Sequence, residues 1–328
     1  MIVMNSISMK HSSQRQQGLS LVELMISITI GLFLVLGVTT LIVQQSNTRK
    51  EMENSGRQIE NGRYAMQLLR DDIQLAGYYG EYSPASGVAT VVPANPCDTT
   101  TANLGWNSAT PTAPVAISGY TASDTAPSCA SNRKAGTAML VVRRTDTTFT
   151  TAFDGTSNYL QVSLCRTAPL PPFILATSGF TLKKNQSSCA AVNAVRKYLV
   201  RIYYISSCNV CGTGADTLPT LKMVENGGTP TSLVDGIENM QFDYGIDADT
   251  NGSTDSYTAT PTLADWPNVM AVRVSLLARN NDVTVGYTNT KTYKLGLVTT
   301  VTPNDSLKRH LYSAVVRVAN VSGRRETP

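Results

Sequence analysis

Three groups of residues have types and spacings that could do chemistry. Asp247, Asp249, Asn251, Ser253 and Asp255 place oxygen side chains at alternate positions of one loop, with Gly252 at the turn, as in calcium-binding EF-hand loops. Thr258 stands where such a loop carries its bidentate glutamate, and a strand-like segment precedes the loop instead of a helix. The expectation is calcium bound with modest affinity, on the order of 10⁻⁴ to 10⁻³ M, and an Asx-rich polar turn is the alternative. Cys208-Asn209-Val210-Cys211 has the spacing of a thioredoxin-type redox pair. That chemistry needs the first cysteine at a helix N-terminus, whereas strand-like residues lead in and Gly212-Thr213-Gly214 leads out, so a small structural disulfide loop is expected. The third group is a single carboxylate, Glu23, at the mouth of a long uncharged stretch.

Enzymatic alternatives lack parts. Of the two histidines, His11 lies near the N-terminus, leaving His310 as the imidazole for any Ser-His or Cys-His device, and no partner pattern surrounds it. The chain is expected not to be an enzyme and to require no cofactor beyond the calcium considered for the loop. Arg143-Arg144, Lys183-Lys184, Arg196-Lys197 and Arg324-Arg325 are scattered without interleaved aromatics, so they read as solvated strand and loop charges. No direct nucleic-acid binding is expected, because a binding groove needs a concentrated basic stripe.

The elements that must position these groups begin with the membrane. From Glu23 the next charge is Arg49, and the apolar run Leu24 to Val43 is long enough to cross a ~30 Å hydrocarbon core as a helix. Nothing like Ala-x-Ala follows Val43, so the helix is expected to stay attached to the chain. Before it lies a polar leader with Lys10, His11 and Arg15 and no acid. A basic leader keeps the N-terminus in the cytoplasm and sends the rest across the membrane. With Lys10 and Arg15 removed, the 27 basic residues become 25 against 23 acidic ones, a net +2, too weak to imply a polyanionic partner. Charged residues make up only 15% of the 328, which suits an exported β-rich domain. All six cysteines, Cys97, Cys129, Cys165, Cys189, Cys208 and Cys211, follow the apolar helix and would lie in an oxidising compartment. Nearest-neighbour disulfides are expected from the 15 possible connectivities.

The junction Gln17-Gly18-Leu19-Ser20-Leu21-Val22-Glu23 resembles the class III signal of type IV prepilins. In that family a basic leader ends in glycine, an apolar first mature residue follows, and a glutamate stands at the fifth mature position. The resemblance implies cleavage after Gly18 by a prepilin peptidase, methylation of the new amine of Leu19, and pairing of Glu23 with such an amine on a neighbouring subunit. Leu19 departs from the commoner phenylalanine. An unpaired acid in the apolar phase costs roughly 2 to 4 kcal/mol, which gives Glu23 a physical reason to find a partner; hydration among the headgroups is the plainer alternative.

Past the membrane the helix is expected to continue. Met52, Ile59, Met66 and Ile73 recur every seven residues, with Leu69 and Ala76 in the intermediate turns, so one apolar stripe runs on to Ala76. At 1.5 Å per residue the helix from Leu21 would be a rod of roughly 80 Å. Gly56 and Gly62 read as flexible points, and Gly77-Tyr78-Tyr79-Gly80 as the end. Residues 81–135, rich in Pro, Thr, Ser and Gly, are expected to be irregular and held by Cys97 and Cys129. Strands are expected over 137–144, 159–165, 198–205, 221–225, 240–246, 269–278, 293–298 and 311–318, several alternating between a buried and a wetter face. The fold class is α+β: a long N-terminal helix, transmembrane in its first half and amphipathic in its second, packed on an antiparallel sheet. The expected organisation is a leader over 1–18, a helix over 19–76 (transmembrane over about 21–43) and a β-rich domain over 77–328.

The stretches 61–78, 233–247 with Trp266 and 269–279, and, more loosely, 307–317 resemble the PilW family of minor pilins. That resemblance implies a type IV pilin-like subunit that helps initiate pilus assembly and lies near the tip. Its implied partners are prepilin peptidase, other minor pilins and the major pilin, the inner-membrane assembly platform, and a tip adhesin. Its implied location is the inner membrane in a single pass, with the C-terminal domain periplasmic, then the pilus at the cell surface. A J-like minor pseudopilin of a type II secretion system is the runner-up, and a membrane-anchored periplasmic thiol oxidoreductase a remote alternative.

Overall fold

The computed structural model describes residues 18, 20–84, 88–165, 171–185 and 187–326. Leu19 and the leader residues Lys10, His11 and Arg15 lie outside the described residues. Two compact units divide the chain, Met1–Glu53 and Asn54–Pro328. The boundary falls inside the single helix α1 (Leu21–Leu75), so the second half of that helix belongs with the β-rich unit.

In the first unit the side chains of α1 are exposed, and the segment is long and apolar enough to cross a membrane. Its few polar side chains are satisfied locally: the hydroxyls of Ser27, Thr29, Thr39 and Thr40 donate to backbone carbonyls one turn earlier. Such back-bonding leaves no polar group bare in an apolar phase.

The second unit carries two antiparallel sheets. A short parallel pair, β1 (Ala89–Val91) and β2 (Thr112–Pro114), precedes them. The first sheet comprises β3 (Ile117–Tyr120), β4 (Met139–Thr145), β5 (Tyr159–Val162), β6 (Phe173–Ala176), β7 (Val195–Ser206), β8 (Thr220–Glu225) and β9 (Thr231–Asp235). It runs in the order β3-β4-β7-β5-β6, with β8 also on β7 and β9 on β8, so the long strand β7 organises it. The second sheet starts with β10 (Ile237–Ile246), β11 (Ser256–Thr258) and β12 (Val269–Arg279). A hairpin, β13 (Tyr293–Leu295) and β14 (Thr299–Val301), follows, and β15 (Arg309–Arg317) returns to pair with β12, giving the order β11-β10-β12-β15. A short helix α2 (Ala319–Glu326) closes the described chain.

The principal core lies between α1 and both sheets. Ala65, Leu69, Ile73 and Ala76 meet Leu140 and Val142 of β4, Tyr203 and Ile205 of β7, Phe242 of β10, and Val272, Val274 and Leu276 of β12. Burial of one such leucine or isoleucine contributes about 1.5–3 kcal/mol. The buried stripe differs from the seven-residue repeat expected from sequence. Met52 is 71% exposed and Ile59 40%, while Gln58, Gly62, Ala65, Leu69, Asp72 and Ile73 are buried. Polar side chains enter that stripe because the sheet supplies their partners: Gln58 Nε2 donates to Ala278 O (2.8 Å) and Lys308 O (3.0 Å). Gly62 is a close-approach site and not a hinge, since a Cβ there would fall 2.1 Å from the Tyr312 ring. Gly77 ends the helix with φ +73°, a conformation glycine adopts without steric cost.

Three further expectations need correction. Strands β4 and β7 are buried on both faces, because Met139, Val141, Val200, Ile202 and Tyr204 enter a second core with Trp106 and Phe173. The segment 81–135 covers that face: it supplies Trp106, Leu104 and the edge strand β3, so it is not simply irregular. Arg143, Arg144 and Arg196 are likewise buried, at 1%, 7% and 9% exposure, where the sequence suggested solvated charges.

Candidate functional site: the helix start, the helix–sheet joint and the acidic loop

Gly18 is exposed and lies outside α1, with open space around its Cα. Ser20 caps the helix: Glu23 Oε2 accepts the Ser20 backbone N–H at 3.1 Å, the reciprocal half of a capping box. The helix begins at Leu21, so Gly18 precedes its first turn. A negative side chain in the first turn also complements the helix macrodipole. The Ser-x-x-Glu spacing of Ser20 and Glu23 was readable in the sequence as a cap, a signal the charge-in-membrane reading passed over.

Asp72 forms the joint between α1 and the first sheet. It is 4% exposed; Oδ1 accepts Arg144 Nε (2.7 Å) and Arg201 Nη1 (3.0 Å), and Oδ2 accepts the Tyr203 hydroxyl (2.9 Å). Burial alone would lower the pKa of Arg201, but Asp72, with Glu225 beyond it, raises it above the usual arginine value. Burial and the Asp72 charge both push the Tyr203 hydroxyl up. Arg201 and Tyr203 thus both keep their protons through the physiological range. No local motif announces this residue, because its partners lie 72 to 131 positions away.

At the far end of α1, α2 supplies the missing caps. Asn320 Nδ2 donates to Gln74 O and Ala76 O, both at 3.2 Å, and Arg324 Nη1 donates to Gly77 O at 3.3 Å. These carbonyls are among those a helix C-terminus leaves without intrahelical partners.

The acidic loop is brought together as expected: Asp247, Asp249 and Asp255 offer oxygens within 4.8 Å of one another. Its oxygens are already engaged. Asp247, fully buried, accepts the N–H groups of Asn251 (3.1 Å) and Gly252 (2.9 Å) and Nη1 of Arg325 (2.8 Å). Asp249 Oδ1 accepts the Asn251 N–H, Asp255 Oδ2 accepts the Ala248 N–H, and Asn251 Oδ1 accepts the Ser253 N–H. Burial opposes ionisation of Asp247, yet Arg325 and the Gly252 N–H hold its carboxyl below the usual range. A cation at this loop would compete with the Arg325 guanidinium.

The cysteines pair as Cys97–Cys129, Cys165–Cys189 and Cys208–Cys211. Cys208 lies two residues past the end of strand β7 and is 6% exposed, without the helix N-terminus that thioredoxin-type chemistry uses. Lys222 Nζ, 2.9 Å from Asn209 O and 3.3 Å from Cys211 Sγ, anchors the turn. His310 is an exposed residue on β15, stacked against Tyr312 at 4.6 Å.

Residues 13–39 match the family model described as the prokaryotic N-terminal methylation motif, and residues 202–320 match that of type IV pilus-assembly protein W. The second match runs from within β7 to the start of α2, beginning upstream of the resemblance read at 233 and leaving out 61–78. No curated protein matches. Among solved structures, the type IV-like pilin TTHA1219 from Thermus thermophilus aligns at 12% identity over 56% of this chain and 78% of that one, with a TM-score of 0.27. The methylation motif covers the capped start of α1, and the assembly-protein segment covers the second sheet on which its other half rests. The chain thus carries a prepilin-type N-terminal methylation motif over residues 13–39 and a segment matching type IV pilus-assembly protein W over residues 202–320.

Proposed function

We propose that the chain is a minor pilin, a structural subunit that prepilin peptidase cuts after Gly18. It then joins other minor pilins and the major pilin at the inner-membrane assembly platform, helps start filament growth, and sits near the tip beside an adhesin. On this reading its globular domain is periplasmic before assembly and at the cell surface afterwards. The observation that carries the proposal is the junction itself: an exposed Gly18 ahead of an apolar helix whose first turn bears Glu23 bonded to the Ser20 N–H, inside a match to the N-terminal methylation motif. A bulky head also suits a tip position, where it need not repeat along a helical filament.

Two variants test the reading. Gly18→Ala is expected to leave an uncut precursor on a blot, because the added side chain restricts the backbone that the peptidase must accommodate. Glu23→Val is expected to be cut and membrane-inserted yet poorly incorporated into sheared pili, since an apolar residue eases insertion but cannot pair with a neighbouring amine. Normal maturation of the first variant overturns the prepilin assignment, and wild-type incorporation of the second overturns the pairing role. Deletion of the gene is expected to abolish surface pili; loss of exoprotein secretion with pili intact would point to the pseudopilin instead.

A further inference from the structure

A cleft of about 340 Å³ opens between the end of β3, the middle of β10 and the tip of the β13–β14 hairpin. Asp243 of β10 lies in its wall, 1% exposed. The Leu297 N–H donates to its Oδ1 at 3.1 Å, whereas Oδ2 has no hydrogen-bond partner among the described residues. The cation facing it, Arg273, stops at 3.5 Å, with its guanidinium stacked 4.4 Å above the Tyr257 ring. A buried carboxylate oxygen without a donor forfeits more free energy than a neutral acceptor would, so this one is a standing vacancy for a donor.

The surroundings define that donor. Asp124, exposed at the rim, is the second acid lining the cleft, and among the described residues no Lys or Arg lines it. Both carboxylates are close enough to Tyr244 to add to the effect of burial in raising its pKa. On the edge of β10 that faces the cleft, Met240 O accepts the Ala138 N–H and β11 begins only at Tyr244, so no strand runs beside Phe242. The rest of the wall mixes neutral polar side chains such as Thr121, Gln241 and Thr260 with apolar ones, among them Trp266 and Tyr244 packed edge to face at 4.8 Å. Val298 lines the mouth at 72% exposure, and Leu297 and Leu263 on the flanking segments are 46% and 76% exposed.

We infer that this cleft receives a lysine side chain from a partner protein: the aliphatic stem lies along the apolar mouth and the ammonium reaches Asp243 Oδ2. Lysine fits better than arginine because a guanidinium fork engages both oxygens of a carboxylate, and Leu297 already holds one of them. The exposed apolar rim is the kind of surface a protein covers, and it would be left wet around a free small amine. This site goes beyond the pilus reading and does not depend on it.

The two tryptophans make the test direct. Trp266 lines the cleft and Trp106 lies in the second core, so the Trp106 indole N–H resonance is an internal control. Full-length protein in detergent, labelled with ¹⁵N at tryptophan, would be titrated with Nα-acetyl-lysine N-methylamide, its norleucine counterpart, and 1,4-diaminobutane. The lysine derivative is expected to move the Trp266 resonance saturably and leave Trp106 in place, and the norleucine compound to do neither. Asp243→Asn, which keeps the Leu297 contact and whose fold is checked by an unmoved Trp106 resonance, should weaken lysine binding roughly thirtyfold or more. The rim variant Asp124→Asn should weaken it by a smaller factor. Equal shifts from the norleucine compound, undiminished binding by both variants, or an unmoved Trp266 would each overturn the site. Tighter binding of the diamine than of the lysine derivative would overturn the protein partner.

Discussion

At the scale of single residues, the chain depends on charges buried far from where the sequence advertises them. Asp72 is the clearest case, because its removal takes the carboxylate from buried Arg144 and leaves Arg201 with Glu225 alone. Breaking a buried pair from one side typically costs about 3–5 kcal/mol. Asp72→Asn is therefore expected to lower the denaturant midpoint strongly, and an unfolding curve close to wild type would remove Asp72 from the joint. The acidic loop makes the opposite point, since its geometry is met by an internal cation. Arg325 occupies the Asp247 carboxylate, so wild-type melting is expected to coincide in millimolar calcium and in chelator, while Arg325→Ala should gain a calcium-dependent rise. A calcium-dependent rise already present in wild type and lost in Asp247→Ala would make the metal ion, not Arg325, the counter-charge.

At the scale of elements, α1 shows how packing reverses a propensity rule. Gly56 and Gly62 look equivalent in sequence, each weakening a helix by up to about 1 kcal/mol relative to alanine. Their surroundings differ. A Cβ at position 56 meets nothing within 4 Å, whereas one at 62 enters the Tyr312 ring. Gly56→Ala is expected to stabilise the protein by up to about 1 kcal/mol. Gly62→Ala should destabilise it by about 1–3 kcal/mol, as overpacked sites do, with much of the loss recovered in a Gly62→Ala/Tyr312→Ala double variant. Chemical unfolding of the three variants checks both signs; stabilisation by Gly62→Ala would show that the ring moves aside freely.

At the scale of the whole β-rich unit, the C-terminal residues act as a clasp. Through α2 they cap α1 with Asn320 and Arg324 and lock the acidic loop with Arg325. Arg317 holds Glu326, and Arg309 holds Asp305 and Glu238. The carboxyls of Asp247, Asp305 and Glu326 all lie below their ordinary range: Arg309 lowers Asp305, Arg317 lowers Glu326, and Arg325 overrides the burial of Asp247. Groups with depressed folded-state pKa values stabilise the fold above their unfolded values, near pH 4, and that stability is lost as the pH falls through the folded values. Denaturant midpoints are thus expected to fall as the pH drops below about 4. A chain ending after Val318 should be less stable at pH 7 and show a shallower acid loss, and parallel pH profiles for the two chains would exclude the clasp as the source.

The sequence by itself determined whatever rests on local order along the chain. An uncharged run after Glu23 has to be a helix if it enters a membrane, because no other single segment satisfies its own backbone there. Gly18 and Glu23 could be placed by spacing, and the turn at Gly77 by conformational freedom. Alternation placed strands such as β12, in which Val272, Val274 and Leu276 face α1. Only the tertiary structure decided which charges are buried, because Asp72, Arg144 and Arg201 become partners through strand pairings that no window of sequence contains. It decided as well that residues 81–135 cover a sheet face instead of trailing from it, since their scattered apolar residues gain meaning only beside β4 and β7. The acidic loop lies between these cases: its turn was local, and the arginine that answers its charge arrives from 78 residues away.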